Sequence, residues 1–199
     1  MTFILTIFFK IIFVLSFFII DAHAHSLVNG YTGFGSGFSH PMLGLDHFLA
    51  MFGVGVWGAQ MGGRKIWSLP MSFPLIMCFG ALIAISKIFA FILVEQVISF
   101  SVILLGFVIL VKWSPNELIA ILVISIFALF HGYAHGFELP RSNDPLSFII
   151  GFVLSTGLIH LFGIGVGYFL DKFYSGKISR IIGFLISING LIFLFRIYT

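Results

Sequence analysis

From residue 38 onward the chain is a succession of six apolar stretches, at about 38–60, 66–88, 91–111, 117–139, 146–170 and 178–197. Each is close to the ~20 residues an α-helix needs to cross ~30 Å of hydrocarbon. Lipid offers no water to a backbone N–H or C=O, so a segment of this length crosses as a helix. The expectation is an all-α membrane protein with six transmembrane helices. Charged residues make up only 9% of the chain, against roughly 25% in a soluble domain. The breaks are short: Gly62-Gly63-Arg64-Lys65, Lys87, Lys112 to Glu117, Arg141 to Pro145, and Asp171-Lys172 to Lys177. No stretch is left over for a soluble domain.

The amino end reads as a signal peptide over residues 1–24. Lys10 closes a short n-region, residues 11–20 form an apolar run of h-region length, and Ala22-His23-Ala24 offers an A-x-A cleavage site. The run is too short to span, although the apolar residues before Lys10 leave an uncleaved anchor as the alternative. Cleavage makes His25 the new terminus and leaves a transmembrane domain over 25–199. With that terminus outside, Arg64, Lys65, Lys112, Lys172, Lys177 and Arg180 face inward, while Lys87, Arg141 and Arg196 face outward. This bias agrees with the positive-inside rule and predicts a multi-pass protein of the bacterial inner membrane.

The basic residues are scattered, so nucleic acid is not an expected partner; the lipid bilayer is. No G-x-x-x-x-G-K-[ST] occurs, so nothing here binds ATP by that route. Cys78 reads as a small core residue. Gly58-x-x-x-Gly62 and Gly163-x-Gly165-x-Gly167 read as helix-packing surfaces. Gly33-Phe-Gly35-Ser-Gly37 reads as a flexible lead-in.

Against this hydrocarbon background stand two clusters, His40-Pro-Met-Leu-Gly-Leu-Asp46-His47 and His131-Gly-Tyr-Ala-His135-Gly-Phe-Glu138. Ionisable groups inside a membrane cost several kcal/mol and mark functional sites. On a continuous helix His40 and His47, seven apart, share a face, with Asp46 beside it. His131, His135 and Glu138, at i, i+4 and i+7, share a stripe on the fourth span. Under the expected topology Asp46, His47 and His131 lie roughly 10–12 Å below the outer surface, with His40, His135 and Glu138 nearer the mouth. Imidazole with carboxylate suits Ni²⁺, Co²⁺, Zn²⁺ or Mn²⁺. Mg²⁺ and Ca²⁺ prefer all-oxygen sites. Asp46 has a second possible role, orienting a histidine instead of binding metal. His160, on the fifth span, is either a further ligand or a hydrogen-bonding residue between helices. Met42 and Met51 read as apolar filler, and Glu95, Glu117 and Asp171 as helix-end charges.

At these residues the chain resembles the HupE/UreJ family of membrane nickel/cobalt transporters. HPMLGLDHFLAMFGVGVWGA (40–59) is similar to that family's first-span signature, FHGYAHGFELP (130–140) to its second, and GFVLSTGLIHLFGIGVG (151–167) to its fifth span. The resemblance implies uptake of Ni²⁺ or Co²⁺ and no prosthetic group. Tyr133 stands where many relatives carry another histidine.

The expectation is therefore a secondary permease, not an enzyme, with the divalent ion as its small partner. Its ligands are His40, Asp46, His47, His131, His135 and Glu138, with His25 and His160 as further candidates. The competing classes are an intramembrane zinc or haem enzyme and a metal-binding accessory subunit without flux.

Overall fold

A computed structural model of the chain describes residues 33–137, 144–174 and 176–199. The expected signal peptide, His25, Glu138 and Arg141 lie outside the described residues. Those described form seven helices and no strand. The helices are α1 (Phe34–Leu43), α2 (Leu45–Met61), α3 (Lys65–Ser86), α4 (Val94–Val111), α5 (Glu117–Gly136), α6 (Pro145–Tyr174) and α7 (Lys177–Arg196).

Helices α3 to α7 are each long and apolar enough to cross a membrane, which makes five candidate spans. The first expected span is not one rod. It is broken at Gly44 into α1 and α2, which meet at 78° and pass the same test only together. Two residues account for the break. Pro41, inside α1, has no N–H to give the Gly37 carbonyl and crowds the turn before it. Gly44 then takes an extended conformation (φ −75°, ψ 99°), its N–H closing α1 on the His40 carbonyl at 3.1 Å. Its own carbonyl starts α2, accepting from Phe48 N at 2.8 Å. Asp46 in the first turn of α2 suits the positive end of the helix dipole.

Every residue from Leu49 to Ala59 is buried, so α2 is enclosed on all sides, as a helix apolar on every face should be. It packs against α1, α3, α4, α6 and α7. The tightest crossings are backbone to backbone. A Cβ at Gly55 would overlap the His160 carbonyl of α6, and one at Gly163 the Phe52 carbonyl of α2. Gly80 and Gly132 do the same for α3 and α5, and Gly37 and Gly151 for α1 and α6. Small residues permit this in lipid, where dispersion replaces the hydrophobic drive.

Two sequence expectations need correction. Gly37 sits inside α1 and packs on α6, so the glycine-rich segment is helix, not a flexible lead-in. Of the two packing motifs, Gly58, Gly163 and Gly167 do face other backbone, whereas Gly165 faces open space and Gly62 (φ 70°) is a turn residue.

Consecutive spans alternate in direction. At one end Trp57 Nε1 donates to the Trp113 carbonyl at 2.8 Å, Lys65 Nζ to the Pro115 carbonyl at 2.9 Å, and Arg180 Nε to the Leu110 carbonyl at 2.8 Å. Lys112 pairs with Asp171 there at 3.3 Å, so all six basic residues assigned to one face share one end of the bundle. Glu95 and Glu117 stand in the first turns of α4 and α5, as expected of helix-end charges. At the start of α6, hydrogen bonds from the Ser147 hydroxyl and then its amide hold the exposed Asp144 carboxyl below the usual aspartate range. Cys78 is exposed on the outer face of α3, contrary to its reading as a core residue.

Candidate metal centre

The end of the bundle opposite the basic residues gathers four histidines. His40 comes from the last turn of α1, His47 from the first turn of α2, and His131 and His135 from the last turns of α5. The His47 ring lies 5.0 Å from that of His131 and 4.5 Å from that of His135, between centroids. His40 lies 4.9 Å from His135 and 6.2 Å from His47. The grouping expected from sequence is therefore present, but its reason differs. On a straight helix seven residues would separate His40 from His47 by about 10.5 Å of rise. The bend at Gly44 folds that distance up.

Three of the histidine rings are aimed by an Nδ1 contact. His47 Nδ1 lies 2.8 Å from Asp46 Oδ1, which also accepts from the His47 backbone N–H at 2.8 Å. His131 Nδ1 lies 2.9 Å from the Phe127 carbonyl, and His160 Nδ1 lies 2.8 Å from the Thr156 carbonyl. A carbonyl only accepts, so in His131 and His160 the proton sits on Nδ1 and the lone pair on Nε2. These two Nε2 atoms are buried and have no hydrogen-bond partner among the described residues. Buried imidazole nitrogens are normally paired, and such a lone pair is what a metal ion takes. Asp46 Oδ1 thus holds His47 by its ring Nδ1 and its backbone N–H together.

The remaining site residues divide plainly. Glu138 lies outside the described residues, and α5 is described as helix only to Gly136. His25 is likewise outside. His160 is buried on α6, away from the four, against the Phe73 ring of α3. Among the described residues, no three His, Cys, Asp or Glu side chains already converge as an ion's coordination sphere. The four rings rest edge to face on one another instead. Tyr133 points elsewhere: its hydroxyl donates to the Phe89 carbonyl and accepts from Phe91 N, both at 3.1 Å, and its ring stacks on Phe91. It anchors the α3–α4 connection. Met51 is fully buried in the apolar core, as filler should be.

Three residues near the histidines carried no signal in the sequence. Phe152 of α6 meets the His135 ring edge to face at 4.5 Å and reaches His40 at 6.4 Å between centroids. Phe73 touches both His131 (5.5 Å) and His160 (5.7 Å). Thr156 is fully buried with its hydroxyl unpartnered among the described residues. In a chain with 27 phenylalanines, no single aromatic announces itself. Beside His135 an apolar cleft of about 210 Å³ runs between α3 and α6, past Met77, Cys78 and Phe148.

Comparison with known proteins gives one consistent result. Residues 13–193 match the model of the family described as HupE / UreJ protein. The chain is also similar to Protein HupE of Rhizobium leguminosarum bv. viciae, at 34% identity over 169 residues, covering 85% of this chain and 87% of the relative. No solved structure matches.

Proposed function

Because the chain belongs to the HupE/UreJ family, we propose that it is a secondary permease of the bacterial inner membrane, importing Ni²⁺ or Co²⁺. The observation that carries this reading is the meeting of His40, His47, His131 and His135 from three helices, with His47 held by the Asp46 carboxylate. Imidazole nitrogen is the donor that borderline divalent ions take. The end bearing the histidines faces outward, because the opposite end carries the basic residues. An arriving ion exchanges water for imidazole nitrogen and draws the clustered rings out of mutual contact. Glu138 and His25 are counted among the proposed ligands from the sequence alone. His160 takes the ion further along the path.

Ring contacts of 4.5–6.2 Å leave no slab between the histidines for a haem macrocycle, which favours transport over the haem enzyme. The test is uptake of radiolabelled Ni²⁺ and Co²⁺ by cells carrying wild type, His47→Ala or His131→Ala at equal protein level. Uptake should collapse in both variants, and wild-type rates in both would sink the assignment. Metal bound by the purified protein without flux into liposomes would mark an accessory subunit instead. Competition by unlabelled Ni²⁺, Co²⁺, Zn²⁺ and Mn²⁺ in the same assay identifies the preferred ion.

A further inference from the structure

Below the four-histidine cluster the structure continues to offer polar atoms where lipid-buried helices normally have none. Phe152, Thr156 and His160 stand at i, i+4 and i+8 on α6, so they form one stripe descending about 12 Å into the bundle. Phe152 touches the cluster through His135 and His40. One turn further, Thr156 Oγ1 is buried and has no hydrogen-bond partner among the described residues. A second turn further, His160 Nε2 is in the same condition, its lone pair fixed outward by the Nδ1 bond to the Thr156 carbonyl. Both residues are at most 2% exposed. A hydroxyl and an imidazole nitrogen left unsatisfied in one stripe are costly unless something visits them.

Phe73 stands between the two levels. Its ring is fully buried and lies against both His131 and His160, at 5.5 and 5.7 Å between centroids. It lies between Pro70 and Pro74 of α3. Each proline removes one i→i−4 hydrogen bond, so α3 is weakest on either side of this ring, where a swing costs least.

We propose that His160 Nε2 and Thr156 Oγ1 form a second, inner cation site, and that Phe73 is the apolar gate separating it from the outer histidines. This rests on the permease reading. The ligand is a divalent transition-metal ion that has shed most of its water. One imidazole and one neutral hydroxyl hold such an ion weakly, as a transit site must if the ion is to leave. An apolar ring at the gate turns back ions that keep their hydration shell, Mg²⁺ above all.

Full-length protein in liposomes tests this with four variants: His160→Ala, Thr156→Val, Phe73→Ala and Phe73→Leu. Binding of radiolabelled Ni²⁺ to purified protein reads the outer cluster, and Ni²⁺ and Mg²⁺ flux read the path. His160→Ala should keep wild-type Ni²⁺ binding while flux falls about tenfold or more. Thr156→Val, close in shape, should lower flux by a smaller factor. Phe73→Ala should let Mg²⁺ through and cut the Ni²⁺-over-Mg²⁺ flux ratio by about tenfold, with Phe73→Leu between it and wild type. If Phe73→Ala does not accumulate, Phe73→Leu decides by the same ratio. Joint loss of binding and flux in His160→Ala would overturn the inner site. Wild-type selectivity in the Phe73 variants would overturn the gate. If wild type carries no Ni²⁺, the permease reading fails and this inference with it. If wild type carries it, His47→Ala abolishes binding, and these variants behave as wild type, the inner site and gate fail alone.

Discussion

Asp46→Asn separates orientation from charge at the centre of the cluster. Asp46 Oδ1 receives two hydrogen bonds at 2.8 Å, one from His47 Nδ1 and one from the His47 backbone N–H. Both are charge-assisted, a class worth about 1.5–3 kcal/mol each when intact. An asparagine oxygen still accepts both but without the charge, so the ring stays aimed while its polarisation by the carboxylate is lost. Replacing such an orienting partner costs about 10- to 100-fold in metal affinity, or about 1.4–2.7 kcal/mol. Asn should fall at the lower end. Ala, which releases the ring and leaves the first turn of α2 without its acid, should fall at the upper end with reduced thermal stability. The measurement is half-saturation of Ni²⁺ uptake at matched protein level, together with melting of the purified protein. A double-mutant cycle decides the mechanism. If Asp46 acts through His47, then Asp46→Asn adds nothing in a His47→Ala background. Additive losses would refute that and make Asp46 an independent ligand.

Three further outcomes are expected. Protons compete with metal for imidazole nitrogen, so uptake should be full near neutral pH and fall as the medium is acidified, in energised cells and in liposomes alike. Gly132→Ala would drive a Cβ into the Met77 carbonyl and force α3 from α5, at about 1–3 kcal/mol. Gly165→Ala meets nothing within 4 Å and should melt at or above wild type, which melting curves in detergent compare directly. Tyr133→Phe should lose two hydrogen bonds, about 0.5–1.5 kcal/mol each, with Ni²⁺ affinity unchanged. Tyr133→His should likewise gain no affinity, because position 133 faces the α3–α4 connection.

The helical class, five of the span positions and the association of the two histidine clusters were legible in the sequence because each rests on hydrophobic length or on groups lipid penalises. The break at Gly44 was also written there, in Pro41 and Gly44, yet hydropathy runs through both without a dip. Treating 38–60 as one helix therefore put His40 and His47 together by the wrong geometry. Cys78 was misjudged for a physical reason particular to membranes. Lipid is as apolar as a protein core, so periodicity cannot separate a buried face from one turned to the bilayer. Phe73 and Phe152 were invisible for the same reason, since an aromatic against an imidazole looks identical in sequence to one against an acyl chain.

The enclosure of α2 bears on how its motif should be read. From Leu49 to Ala59 every residue is buried, the non-glycine ones at most 8% exposed. Every substitution there is judged at once by α3, α4, α6 and α7. Of HPMLGLDHFLAMFGVGVWGA, the first eight residues hold the side chains that the proposed function assigns to the ion; the remaining twelve fit one helix into a socket. A mutational scan should therefore split the motif at Phe48. Upstream of it, losses should appear in ion affinity while the protein still accumulates. Downstream, they should appear as missing protein, scaling with side-chain volume and indifferent to which metal is offered.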